Sequence, residues 1–153
     1  MKSFQIASQV RLSPEEAWQH ATNPLGVNLE FWPIFRMTFP SSLTSFSEDW
    51  RPGQKLCRSW IFLFGIFPVE YDDLALAEVE EGRRFLERSE MFTQKLWQHE
   101  REILDSPTGT RIVDRVSFAS RLAILERPQL VIFRLVFKYR HFRLRRLYGH
   151  GAE

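Results

Sequence analysis

The sequence contains little of what several common protein functions require. Its 153 residues include one cysteine, Cys57, which excludes an internal disulfide framework and a multi-cysteine metal site. The apolar run "WIFLFGIFPV" holds ten residues and includes Gly65 and Pro68, whereas a membrane-spanning helix needs about 20. The N-terminal segment alternates polar and apolar residues, so it lacks the continuous apolar stretch of a signal peptide. These absences favour a soluble protein with a cytoplasmic location.

The motifs of several catalytic chemistries are also missing. The sequence has no G-x-G-x-x-G, no P-loop, no G-x-S-x-G and no H-E-x-x-H. Its four histidines, His20, His99, His141 and His150, do not have the spacing of metal ligands. We therefore expect no cofactor, no metal ion and no nucleophilic serine.

The composition is that of one folded domain. Hydrophobic residues make up 44% and aromatic residues 14% of the chain, with 14 Phe and five Trp. We predict a single domain over residues 1–149 and a short C-terminal tail at 150–153. The net charge is +2, but from Gln129 onward there are six Lys or Arg and one acid, so the rest of the chain is slightly acidic. With no nucleic-acid-binding motif, this distribution argues against a nucleic-acid partner.

The first third of the chain predicts a strand and two short helices. Residues 3–11 alternate as a strand does. Ser13, Pro14 and Glu16 then form the pattern of a capping box at a helix start. Because "NPLG" is rich in helix-breaking residues, we expect this helix to end there, followed by a short helix or turn in "LEFWPIFRM" and a loop over residues 38–53.

The remainder predicts strands and one long helix. From Gln54 about five alternating runs follow one another, and "DSPTGT" is typical of a hairpin turn. Short connections make the neighbouring strands antiparallel. Residues 128–148 are then predicted to form a helix, roughly 30 Å long.

The last helix is apolar around most of its circumference. Arg134, Lys138, His141 and Arg145 form one narrow basic stripe at 100° spacing. The other faces carry mainly apolar residues, which predicts burial on several sides with the stripe left to solvent. Loose association with anionic membranes through Arg134, Lys138 and Arg145 is a further expectation.

The order of elements and three short patterns resemble a known family. The patterns are the aromatic–x–His strand with Trp97 and His99, the strand that holds Asp114, Val116 and Phe118, and the "VFKYRH" run of the last helix. Together they resemble the SRPBCC or START-like superfamily, in its polyketide cyclase/dehydrase-like branch, over essentially the whole chain. The resemblance implies an α+β helix-grip fold, in which a curved antiparallel sheet of about six or seven strands wraps around a long C-terminal helix, with two short helices after the first strand.

The same resemblance implies a deep, mostly apolar cavity between sheet and helix. Eight aromatic residues are candidates for its lining: Trp32, Phe35, Trp60, Phe62, Phe64, Trp97, Phe133 and Phe137. The alternative is that these rings fill an ordinary core. Alternation does not decide which face of each strand points inward.

Three polar residues are candidates for the polar end of such a site. His99 and Asp114 lie on strands that the "DSPTGT" hairpin makes neighbours, so the carboxylate could orient the imidazole as a general base. The alternative is a structural His–Asp or Asp–Arg pair. Arg140 lies on an inward face of the last helix, where it could bind an acidic head group, pair with a buried carboxylate such as Asp114, or extend to solvent.

The leading functional hypothesis is binding of a small hydrophobic or amphipathic ligand, of the lipid, quinone or aromatic polyketide class. One alternative is a cyclase or dehydratase that uses His99 and Asp114. Another is an interaction module with a filled core and a basic helix face. The sequence leaves the ligand's identity and the oligomeric state open.

Overall fold

A computed structural model of the chain describes residues 1–48 and 50–151. Within these ranges there are seven strands: β1 (Lys2–Val10), β2 (Phe35–Met37), β3 (Lys55–Leu63), β4 (Phe67–Glu80), β5 (Arg84–Met91), β6 (Gln94–Ser106) and β7 (Gly109–Ser120). The helices are α1 (Pro14–Ala21), α2 (Pro24–Phe31) and α3 (Glu126–Tyr148), and a 3-10 turn at Ala123–Leu125 precedes α3. The strands form one antiparallel sheet in the order β1-β7-β6-β5-β4-β3-β2. The predicted α+β helix-grip fold is confirmed.

The start of α1 follows its sequence pattern. The Glu16 backbone N–H donates to Ser13 Oγ over 3.2 Å, and the Ser13 backbone N–H donates to Glu16 Oε2 over 3.1 Å. This reciprocal pair satisfies two N–H groups that a helix start leaves without partners. The predicted capping box is confirmed.

The prediction for "NPLG" is incomplete, because this segment lies at the end of one helix and also begins the next. It separates α1 from α2, but it also starts α2, because Asn23 Oδ1 accepts from the Leu25 N–H over 2.8 Å and Pro24 suits the first helical position. Gly26 lies inside α2, where an added Cβ would sit 2.1 Å from the His20 carbonyl oxygen. Glycine therefore permits the close approach of α2 to α1.

The long hairpin of β6 and β7 carries much of the inward-facing polar chemistry. Ser106 pairs with Gly109 at its turn, as "DSPTGT" predicted. Farther along, Arg101 lies opposite Asp114 and His99 lies opposite Val116. Because side chains alternate between faces, Trp97, His99 and Arg101 all point to the concave side.

The predicted loop over 38–53 has no helix or strand in its described part; residue 49 lies outside the described residues.

The prediction that α3 is buried on several sides is wrong. Phe137, Arg140, His141 and Leu144 are buried, but the sheet covers only that side. The opposite side leaves apolar residues exposed: Val131, Ile132, Leu135 and Phe142.

The basic stripe is also only partly at the surface. Arg134 and Lys138 are exposed, as predicted. His141 is buried, with Nδ1 2.5 Å from Ser8 Oγ, and Arg145 donates to the same oxygen over 2.8 Å. These two residues face β1 rather than solvent, because α3 packs its C-terminal half against that strand.

Candidate functional site

A cavity of about 510 Å³ lies between the concave face of the sheet and α3. Its volume is within the range of ordinary small-molecule sites. Most of its lining is apolar: Ala21, Val27, Phe31, Phe35, Met37, Phe39, Phe46, Ile61, Leu63, Val69, Leu74, Leu76, Phe85, Met91, Trp97, Ile132, Phe133, Val136 and Phe137. The polar lining residues are Glu70, Asp72, Glu87, Thr93, His99, Gln129 and Arg140.

Half of the predicted aromatic lining residues reach this cavity. Phe35, Trp97, Phe133 and Phe137 line it, and Trp97 and Phe133 meet edge to face with ring centroids 5.1 Å apart. The four others do not line it: Trp32, Trp60, Phe62 and Phe64.

The prediction for β3 is wrong about which face of the strand points into the cavity. Ile61 and Leu63 point into the cavity, so Trp60 and Phe62 point away from it, and Trp60 packs on Tyr71 on the outer side. Phe64 lies at the exposed tip of the β3–β4 hairpin, and Trp32 follows the end of α2 with its side chain largely exposed. Both faces of this strand are apolar, so alternation alone did not distinguish them.

The cavity opens between the β3–β4 hairpin and the N-terminal half of α3. Val69 of β4 and Ile132 of α3 both line it and are 44% and 53% exposed. The mouth is thus bordered by apolar side chains from two elements.

A buried polar network closes the other end of the groove, with Glu30 as one of its two acidic centres. Both guanidinium Nη atoms of Arg101 donate to the Glu30 carboxylate, over 2.7 and 2.9 Å, and Arg140 Nε donates over 2.9 Å. His20 Nε2 lies 2.7 Å from the same carboxylate, and His20 Nδ1 lies 2.6 Å from Tyr148 Oη. Burial alone would raise the pKa of Glu30, but Arg101 and Arg140 hold it well below its ordinary value.

Asp114 is the second acidic centre. Arg101 donates to it through Nε over 2.8 Å and through Nη2 over 2.7 Å, while His99 Nε2 and His141 Nε2 each lie 2.8 Å away. Although burial favours the neutral form, Arg101 and then His99 hold the pKa of Asp114 well below its ordinary value. Asp114 is fully buried behind these partners and does not line the cavity.

His99 lies between two carboxylates. Its Nε2 faces Asp114, and its Nδ1 lies 3.8 Å from Glu87 Oε1. Burial alone would lower the pKa of His99, but the combined interactions with Asp114 and Glu87 outweigh burial, and the pKa is raised. Both ring nitrogens of His99 are therefore directed at acids rather than at the cavity, and these acids favour the charged form of the ring.

Asp72 and Glu87 form a carboxyl pair in the cavity wall. Burial, followed by the charge of Glu87, raises the pKa of Asp72 well above its ordinary value. Burial also acts on Glu87, but hydrogen bonding to His99 and Asp72 lowers its pKa overall. Glu87 Oε2 also accepts from Ser89 Oγ over 2.8 Å. Of the two carboxyls, Asp72 is thus the one whose surroundings favour the protonated form, and Glu87 the one whose surroundings favour the ionised form.

Arg140 points inward, as predicted, but its carboxylate partner is Glu30 rather than Asp114. Its guanidinium also lies over the rings of Phe31 and Phe137, 4.7 and 4.8 Å from their centroids. It lines the cavity between these rings, so its charge is already paired and covered.

Three of these residues are not among the candidates from the sequence: Glu30, Asp72 and Glu87. Their positions did carry a signal. Glu30 shares the buried face of α2 with Val27 and Phe31, and Asp72 shares the inward register of β4 with Leu74. A charged residue within an apolar periodic stripe indicates a buried partner.

Residues 1–48 and 50–151 contain neither a metal-binding cluster nor a membrane-spanning helix. No group of three or more His, Cys, Asp or Glu side chains there could hold a metal ion. No helix in that part of the chain has the length and apolar character needed to cross a bilayer.

The fold defines an α+β helix-grip domain with a cavity between sheet and helix. The chain belongs to the family described as domain of unknown function DUF8410, whose model matches residues 8–148. No curated protein matches the sequence.

Several solved structures share the fold. Protein CV1439 from Chromobacterium violaceum is 11% identical, with a TM-score of 0.73 over 97% of this chain and 99% of that one. Protein Ms6760 from Mycobacterium smegmatis is 15% identical, with a TM-score of 0.67 over 99% of this chain and 93% of that one. DynU16, a protein of the dynemicin biosynthetic locus, is 13% identical, with a TM-score of 0.61 over 99% of this chain and half (50%) of its own. At these identities the likeness concerns the fold alone.

Proposed function

We propose that this protein binds a small hydrophobic or amphipathic molecule in the cavity between the sheet and α3. The observation that carries the proposal is a cavity of about 510 Å³ whose lining is mostly apolar and which opens at an apolar mouth. Burial of a ligand there would be favourable by about 0.8 kcal/mol for each CH₂ group removed from water.

The two alternatives have less support. An interaction module with a filled core is hard to reconcile with a cavity of this size, because the aromatic rings line the space without filling it. A cyclase or dehydratase that uses His99 and Asp114 would need a free base. Both nitrogens of His99 face acids, and both oxygens of Asp114 already bind Arg101, His99 and His141, so neither residue presents a free atom to a ligand.

The proposal is tested by filling the cavity from β3. Ile61→Trp would place an indole in the cavity, and Phe62→Trp places the same group on the outer side of the adjacent residue. Native mass spectrometry of protein purified without detergent, and displacement of the neutral dye N-phenylnaphthylamine by a series of n-alkanols, would be compared for both variants. We expect wild type and Phe62→Trp to bind, with affinity rising roughly fourfold per CH₂, and Ile61→Trp to lose binding. Equal binding by both variants would contradict the proposal.

We also propose that the exposed side of α3 docks on an anionic membrane. Residues 127–148 contain no acid, and the exposed apolar residues Val131, Leu135 and Phe142 lie beside Arg127, Arg134 and Lys138. Arg145, which was predicted to lie on this surface, donates to Ser8 and is not part of it. Arg127 is exposed and does belong to the surface. Basic side chains beside an apolar stripe complement a negatively charged lipid surface.

The cavity mouth adds a second reason for the membrane proposal. Ile132 belongs both to the exposed side of α3 and to the cavity lining, so the docking surface is continuous with the opening. Across the mouth, the β3–β4 hairpin exposes Phe64, Ile66 and Phe67. A docked protein would thus present its opening to the bilayer.

Vesicle sedimentation tests this docking. We expect binding to phosphatidylcholine vesicles that contain phosphatidylglycerol and weak binding to phosphatidylcholine alone. Arg134→Gln combined with Lys138→Gln should weaken binding by about thirtyfold, at roughly 1 kcal/mol for each basic residue. The matched control, Arg88→Gln with Arg111→Gln, removes two exposed arginines of the sheet and should bind as wild type does. Equal loss in both double variants would show only a general charge effect and would contradict the assigned surface.

A further inference from the structure

The polar end of the cavity has no positive charge to spare for an anionic ligand. Two arginines and one histidine face three carboxylates at or behind the cavity wall: Arg101, Arg140 and His99 against Glu30, Asp114 and Glu87. Glu70, which also lines the cavity and accepts from Thr93, contributes a further acid rather than a base. An ionised carboxylate or phosphate drawn into this cavity would lose its hydration without gaining an unpaired cation.

The cavity wall instead offers acceptor oxygens that lack donors. Asp72 is 4% exposed and lines the cavity, and its Oδ1 is buried with no hydrogen-bond partner among the residues the structure describes. Gln129 Oε1, in the α3 wall of the same cavity, is likewise buried and without a partner in the described part of the chain. Buried acceptors are normally satisfied, so two of them around one cavity indicate a ligand that donates hydrogen bonds.

We infer that the cavity selects apolar molecules whose polar group is an uncharged hydrogen-bond donor, such as an alcohol or phenol, and that the Asp72–Glu87 carboxyl pair is the subsite that receives this group. The inference deepens the proposed ligand-binding function and rests on it. The raised pKa of Asp72 is consistent with it, because a protonated carboxyl both donates and accepts and so matches a hydroxyl group.

Four probes with the same chain separate the possibilities: dodecanol, dodecyl methyl ether, dodecanoate and dodecylammonium. Each would be titrated against N-phenylnaphthylamine bound to the wild-type protein and to Asp72→Leu. Asp73→Leu is the matched control, since Asp73 is the next residue of β4, lies on the outer face and pairs with Arg58 and Lys55.

For wild type we expect dodecanol to bind at least about tenfold more tightly than dodecanoate, and about fivefold more tightly than the ether, which cannot donate. In Asp72→Leu the advantage of the alcohol over the ether should disappear, while in Asp73→Leu it should persist. A far-ultraviolet circular dichroism spectrum and a thermal transition establish that each variant is folded.

The outcomes distinguish this inference from the function beneath it. If none of the probes displaces the dye, the proposed binding function itself fails. If the probes bind but dodecanoate or dodecylammonium binds most tightly, or if the alcohol keeps its advantage in Asp72→Leu, the cavity function stands and the assigned subsite is overturned.

Discussion

The two halves of α3 lie over the same concave sheet but meet it in different ways. Residues 137–148 pack on β1 and on α2 through a saturated network of ion pairs and hydrogen bonds, with Arg140 and His141 buried in it. Residues 126–136 leave a cavity beneath them and apolar side chains exposed above. Residues 137–148, the closed half, fix where the helix lies. Residues 126–136, the open half, leave room for a ligand.

This difference explains why so many charges are buried beside an apolar cavity. A buried ion pair adds little net stability over an apolar pair of similar volume, but a single missing partner is costly. Glu30 from α2, Arg101 and Asp114 from the β6–β7 hairpin, and Arg140 from α3 therefore favour one mutual arrangement. With α3 fixed at that end, the open end does not need to collapse for the protein to be stable.

The largest effect should come from removing the acid that α2 contributes. Glu30→Ala leaves the guanidinium groups of Arg101 and Arg140 without one of their carboxylates in a fully buried site. We expect a loss of about 3–5 kcal/mol in the free energy of unfolding, measured by urea denaturation. Glu15→Ala, at an exposed position of α1, should change it by less than about 0.5 kcal/mol. A cost below about 1 kcal/mol for Glu30→Ala would mean that the network does not stabilise the closed half.

The same network should make stability depend on pH in a defined direction. The pKa values of Glu30 and Asp114 are depressed, so their stabilisation is present above the ordinary carboxyl pKa and is lost as the pH falls toward the folded values. The pKa of His99 is raised, so its contribution is present below the ordinary imidazole pKa and is lost as the pH rises through the folded value. We expect urea midpoints to fall on both sides of a maximum. A midpoint that does not change in acid would contradict the ionised state of Glu30 and Asp114.

Two apolar truncations on α3 compare its halves directly. Leu144 is completely buried in the closed half, whereas Ile132 borders the cavity mouth and is largely exposed. Leu144→Ala should cost about 2–5 kcal/mol, and Ile132→Ala less than about 1 kcal/mol, both by urea denaturation. Equal costs would show that the two halves contribute alike to the core.

Local features of this fold could be predicted, because the interactions that cause them are local. The Ser13–Glu16 capping box and the "DSPTGT" hairpin each depend on residues within one turn of chain, and both are present. The side-chain alternation of β6 also placed Trp97 and His99 on one face. By contrast, β3 has apolar residues on both faces and two register irregularities along its pairing with β4, so the outward position of Trp60 and Phe62 had no clear local signal.

The centre of the site could not be predicted, because its partners are distant in sequence. Glu30 is 71 residues from Arg101 and 110 from Arg140, and only the packing of α2 and α3 on the same sheet brings them together. Helical periodicity did show Arg140 facing inward, but it could not choose between Asp114 and Glu30 as its partner. Asp72 and Glu87 likewise become a carboxyl pair only when β4 and β5 align.

The smallest effect we expect concerns Phe64, beside the open half. Its substitution should stabilise the protein but weaken membrane binding. Phe64, at the tip of the β3–β4 hairpin, is 56% exposed and has a φ of 54°, a left-handed conformation that asparagine adopts more easily than phenylalanine. Phe64→Asn should therefore raise the free energy of unfolding by about 1 kcal/mol and, because an apolar side chain is lost beside the mouth, weaken binding to anionic vesicles. Phe67→Asn, at a strand position of the same hairpin, should weaken vesicle binding without the gain in stability. If Phe64→Asn stabilises the protein and leaves vesicle binding unchanged, the hairpin tip does not belong to the docking surface, which would then be confined to α3.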